Sequence, residues 1–194
     1  AGGIWLAARD RTTGGRRSSD SEIHFGGGSR SQTSPDGSPA FVAAFKRLPQ
    51  DATALQRAAD AEFDEAARMI GADELSQVRK IMARGGGRDA YTESELAMLR
   101  RHGFGKWVRA QAVRWSHEDS AFESIVSSIW GRSSARSESD MTELAVRWGE
   151  KDRSSRNQLL NLIHIVENKT RELTADERNT VIAFAGEEYL SGSR

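Results

Sequence analysis

The sequence predicts an all-α protein, a multi-helix bundle of about nine helices carrying an extended N-terminal arm rich in Gly, Ser and Arg. Three observations predict it. From Ser38 onward apolar residues recur at helical spacing, capping and proline signals fall where that spacing starts and stops, and no convincing β segment interrupts it. Agreement between periodicity and punctuation is itself the argument, because each is set by different residues.

The elements follow in order. Residues 1–38 hold eight Gly, clustered as "GG", "GG" and "GGG" with Ser and Arg between them. Only "IWL" and "EIHF" there could pair as short strands, so the segment reads as an extended arm ordered against a neighbour, or else as a flexible tail. Ser38 then caps a helix with Pro39 at its first position, where a missing N–H costs least. Phe41, Phe45 and Leu48 line it, and Pro49 is expected to end it. Asp51 is expected to cap a second helix lined by Leu55, Ala59, Phe63, Ala66 and Ile70 and closed by Gly71. "ADELSQVRKIMAR" gives a third, stopped by "GGG". A Thr92–Glu95 capping box opens the fourth, which ends at Gly103. Helices over 104–115, 117–130 (capped by Ser116), 140–148 and 152–170 follow, and a Thr174–Glu177 box leads 175–190. The 152–170 segment is apolar on more than one side and is expected to be the central helix of its half. A polar linker, "SSARSESD" at 133–140, divides the body into helical sub-bundles at 39–132 and 139–194.

Composition narrows function. The 194 residues include no Cys, which excludes disulfide frameworks, thiolate catalysis and cysteine zinc sites. Mean hydropathy is −0.62, and no apolar run approaches the roughly 20 residues needed to cross a bilayer. The opening "AGGIWLAARDRTTGG" lacks the apolar stretch of a secretory signal. The expectation is a soluble, non-secreted protein with no membrane partner, cytoplasmic or, alternatively, part of a virion.

Net charge is zero, yet the charges are segregated. Residues 51–75 carry two Lys/Arg against seven Asp/Glu, whereas residues 76–115 carry nine against three. Of 28 cations, 23 are Arg, the side chain best shaped for bidentate phosphate contacts and interfaces. Arginine-favouring codons in a GC-rich genome account equally well for that excess.

The stretch "GFGKWVRAQAVRW", 103–115, concentrates the question. On a helix Phe104, Val108, Gln111 and Trp115 share one arc flanked by Trp107 and Ala112, which makes the tryptophans core anchors rather than base-stacking platforms. Lys106 and Arg109 fall on the opposite face and Arg114 toward the flank. Arg79, Lys80, Arg84 and Arg88 precede them, and Arg100 and Arg101 end the helix before. In "DRSSRNQ", Arg153 and Arg156 occupy a helix's first turn, where cations oppose the dipole but, with free amides, suit phosphate. These eleven residues are the candidate nucleic-acid contacts. The competing readings are a solvated basic face on a core helix, and local neutralisation of Arg153 and Arg156 by Glu150 and Asp152.

No enzyme is expected. His24, His102, His117 and His164 lie on different elements, and no H-E-x-x-H or other metal-ligand spacing occurs. "HED" at 117–119 is ordinary acid enrichment in a first turn. "GGGSRS" and "RGGGRD" lack the G-x-x-x-x-G-K-[ST] pattern of a nucleotide cradle. No catalytic residue, cofactor or metal is expected.

Two segments, "FVAAFKRLPQDATALQRAAD" (41–60) and "LAVRWGEKDRSSRNQLLNLIHIVE" (144–167), are similar to the opening and later helix pairs of a known family. On them the chain resembles the small helical subunit of CRISPR surveillance (Cascade-like) effector complexes. That resemblance implies a non-catalytic, multi-copy subunit that lies along a guide–target duplex in antiviral defence and braces a strand with basic residues. The residues themselves leave three readings open: such a nucleic-acid-binding subunit, contacting DNA or RNA through phosphates and touching neighbouring subunits; a helical coat protein of a virion or phage particle; and a purely protein-binding helical adaptor.

Overall fold

The computed structural model describes residues 38–132 and 136–191. The arm over 1–37, with "IWL", "EIHF" and His24, lies outside the described residues, as do 133–135 of the polar linker.

Among the described residues the fold is all-α. The elements are α1 (Pro39–Arg68), α2 (Ala72–Ala83), a 3-10 turn (Arg88–Ala90), α3 (Glu93–Arg101), α4 (Gly105–His117), α5 (Ser120–Trp130), α6 (Glu138–Gly149), α7 (Arg153–Asn168), α8 (Ala175–Ala185) and α9 (Glu187–Ser191). The expected starts are present where the chemistry is strongest. Ser38 Oγ accepts the Phe41 amide, and both capping boxes close, with Glu95 Oε2 accepting from the Thr92 amide and Glu177 Oε2 from the Thr174 amide, each at 2.9 Å.

Three local expectations are overturned. Pro49 does not end a helix: α1 runs 30 residues straight through it. The apolar positions 41, 45, 48, 52, 55, 59, 63 and 66 keep steps of three and four across Pro49, so burial of one continuous stripe outweighs the hydrogen bond the proline cannot make. Asp51, freed from capping, accepts from Arg47 and from Thr142 of α6. Ser116 does not cap α5. It is buried and donates to the Ala145 carbonyl at 2.5 Å, while Asp119 Oδ1 accepts the Ala121 amide and α5 begins at Ser120. The 175–190 segment is broken at Gly186, whose φ of 88° only glycine adopts without strain, giving α8 and α9. One merger and one split leave the helix number among the described residues unchanged.

Within its own half the 152–170 helix is not the most buried: α6 buries Met141, Leu144, Ala145, Val146, Trp148 and Gly149, whereas α7 buries only Leu159, Leu162 and Ile163. The central helix of the body is α4, which buries Trp107, Val108, Ala110, Ala112, Val113, Trp115 and Ser116. α4 is short in residues that must face water, so α1, α3, α5 and α6 can pack around it. Two apolar cores result. The first joins the start of α1 to Val113 and α5–α9. The second joins the end of α1 to α2, the 3-10 turn, α3 and the rest of α4. The segments either side of the 133–140 linker therefore share the first core, and α1 and α4 run through both.

Candidate nucleic-acid interface

The basic window of 76–115 folds into α2, the 3-10 turn, α3 and α4, and tertiary structure divides its cations, with Arg153 and Arg156 of α7, into three kinds. Arg88 is a buried structural group, 3% exposed. Its Nε donates to the Glu150 carbonyl at 2.9 Å, its Nη1 to the Tyr91 carbonyl at 2.8 Å, and its Nη2 to Glu93. Desolvation lowers the guanidinium's pKa from its ordinary value, against the pull of Asp152 and Asp89. Arg88 is thus the bolt between the 3-10 turn and the end of α6, and it presents no charge to a ligand at the surface.

Arg156 is held in the same way. Only 13% exposed, it donates from Nη1 to Asp119 Oδ2 at 2.9 Å and from Nη2 to Asp89 Oδ1 at 3.0 Å. Asp119 Oδ2 also accepts from the Trp148 indole at 2.9 Å, so one carboxylate ties α5, α6 and α7 together. The carboxylates bonded to Arg156 are therefore Asp119 and Asp89, while Asp152 beside it in sequence feels its charge without bonding it. Asp152 is the α7 N-cap, and its hydrogen bonds with Ser155 lower its carboxyl pKa.

The second kind is paired at the surface. Arg84 forms a two-pronged bridge to Glu95 (3.0 and 2.5 Å), which holds the Glu95 carboxyl down at about 2 together with the Thr92 amide. Arg100 lies 3.3 Å from Glu150, Lys106 bonds Glu62 of α1, and Arg109 bonds Glu143 of α6. No local pattern announces these partners, because Glu62 and Glu143 stand 44 and 34 residues from their cations.

The third kind is exposed and meets no carboxylate among the described residues: Arg79, Lys80, Arg101, Arg114 and Arg153. Arg79 and Lys80 lie along the outer face of α2 beside Ala72, Ser76 and Ala83. Arg79 also rests over the Phe63 ring, 6.0 Å from its centroid. Arg101 ends α3 and shares a surface depression with Gln77 of α2.

Most described aromatic side chains turn inward, with Phe45 and Phe63 half-buried. Trp107, Trp115, Trp130, Trp148, Tyr91 and Tyr189 are buried, and Met69 is the one large apolar side chain exposed among the described residues. The described histidines stay apart: His102 lies 4.0 Å from Glu74, His117 packs on Phe45, and His164 meets Asn168. Among the described residues no three His, Asp or Glu side chains converge as a metal site, and no helix is long and apolar enough to cross a membrane. No protein-family model, curated protein or solved structure matches the chain.

Proposed function

We propose that this chain is a non-catalytic helical subunit of a nucleic-acid-containing assembly, contacting the phosphate backbone through exposed cations and touching neighbouring subunits. One observation carries the reading: Arg79, Lys80, Arg101, Arg114 and Arg153 are exposed without a carboxylate partner among the described residues, while the described Trp and Tyr side chains are buried and the half-buried Phe45 and Phe63 pack against His117 and Arg79. Cations without aromatics suit sequence-neutral phosphate contact, whereas single-strand binders rely on stacking. The resemblance to the small helical subunit of CRISPR surveillance complexes supports the same reading.

The test is fluorescence anisotropy with labelled duplexes of unrelated sequence over a salt series. Affinity should be indifferent to sequence and fall steeply with salt. Recovery of the protein with its partners from its own cells then separates the assemblies: a defence complex with guide RNA, or particles with packaged genome. Absence of binding at low salt, with only protein partners recovered, overturns the proposal in favour of an adaptor.

A further inference from the structure

The two basic side chains on the outer face of α4 are each answered by an acid from a flanking helix, Lys106 by Glu62 of α1 and Arg109 by Glu143 of α6. Of the other acids that pair with the candidate cations, Glu95 also closes a capping box, Asp119 also binds an indole and a helix amide, and Glu93 answers the buried Arg88. Glu62 and Glu143 have no other hydrogen bond among the described residues: each carboxylate meets one cation and nothing else there. All four side chains are between 40 and 49% exposed, so the pairs are open to solvent and to any ligand.

Pairs this exposed add little to stability, because water screens their attraction and holding two long side chains together costs entropy. Support of the fold therefore does not explain them. Their effect on a polyanion is larger. An unpaired cation acts on a phosphate as a monopole, whereas a cation in contact with a carboxylate acts as a dipole whose field fades well inside the roughly 8–10 Å screening length. A phosphate that takes Lys106 or Arg109 must also displace a carboxylate and leave it facing the backbone.

We infer that Glu62 and Glu143 are built-in counter-charges that mask the cationic face of α4, so that the chain's own acids compete with a nucleic-acid backbone for Lys106 and Arg109. This rests on the phosphate-binding reading above and adds what sets the strength of that site. The mask keeps affinity low and reversible, as suits a subunit whose hold on nucleic acid tightens only when neighbouring contacts draw the two acids away.

The experiment compares the full chain with Glu62→Gln/Glu143→Gln on one labelled duplex. The variant should bind at least about threefold more tightly at about 50 mM salt, with a log–log salt slope steeper by about one to two units. Its melting temperature should match the parent's. A second variant, Glu123→Gln/Glu167→Gln, makes the same change in net charge at exposed acids of α5 and α7 that pair with no cation among the described residues, and should gain clearly less. Adding Lys106→Ala/Arg109→Ala to the unmasked variant should abolish its gain. If the unmasked variant binds like the parent, or no better than the Glu123/Glu167 control, the mask is refuted while phosphate binding stands. If neither parent nor unmasked variant binds at low salt, both readings fall.

Discussion

A β-carbon on Gly149 would lie 1.9 Å from the carbonyl oxygen of Ala112. At that point α6 and α4 touch backbone to backbone. The contact extends along one turn of small side chains on each helix, Ala112 and Ser116 on α4 and Ala145 and Gly149 on α6, with the Ser116 hydroxyl bonded to the Ala145 carbonyl. Close approach of helices requires residues that add little beyond the backbone, and here even a methyl group is too large.

Gly149→Ala should therefore destabilise the protein despite alanine's better helix propensity. The helices must separate or shift, costing about 1–3 kcal/mol beyond the ~1 kcal/mol that propensity returns. Thermal unfolding followed by circular dichroism should show a fall of several degrees.

Arg88→Met should cost about 2–3 kcal/mol, because the Glu150 and Tyr91 carbonyls lose their donor inside the protein. Arg88→Lys should not restore stability, since one ammonium cannot reproduce three divergent donors. The salt slope of duplex binding should stay at the parent's value in variants that remain folded, which separates this residue from the exposed cations.

Pro49→Ala should raise stability. Proline inside a helix costs about 3 kcal/mol, and part of that is returned by its stiffening of the unfolded chain. With Pro49 exposed and the α1 stripe already continuous, a gain of about 1–2 kcal/mol is expected in urea unfolding.

Acid should loosen the starts of α3 and α8. Glu95 and Glu177 are both lowered from 4.5 to about 2, foremost by hydrogen bonds from Arg84 and Arg171. A carboxyl depressed by folding adds stability that is fully present above its unfolded value, here near 4.5, and lost as pH falls toward 2. The stability difference between the parent and Glu95→Gln/Glu177→Gln should therefore be largest above about pH 5 and shrink steadily below it, as urea midpoints will record.

Arg79→Ala/Lys80→Ala should flatten the log–log salt slope of duplex binding by about two units, close to ~0.9 for each lost phosphate contact. Lys106→Ala/Arg109→Ala in the otherwise native chain should flatten it by less, because those cations are already partnered. Equal effects would show that the ion pairs do not govern the surface.

The all-α class and most helix boundaries were legible in the residues alone, because caps, apolar steps and glycine stops act within one turn of the chain. The continuous α1 was legible too, in the unbroken three-and-four spacing from 41 to 66, but Pro49 carried the stronger local signal for a break. The inward tryptophans of α4 were likewise readable from a helical wheel. What each cation faces was not. Arg79, Arg84 and Arg88 sit close together along the chain, yet the first is open to solvent, the second is bridged to Glu95 and the third is buried against the end of α6. Partners such as Glu62, Glu143 and Asp119 come from helices tens of residues away, and electrostatic energy depends on distance and burial in space, neither of which spacing along the chain encodes. Tertiary structure alone decided which charges are bolts, which are paired with acids from other helices and which stand exposed without one.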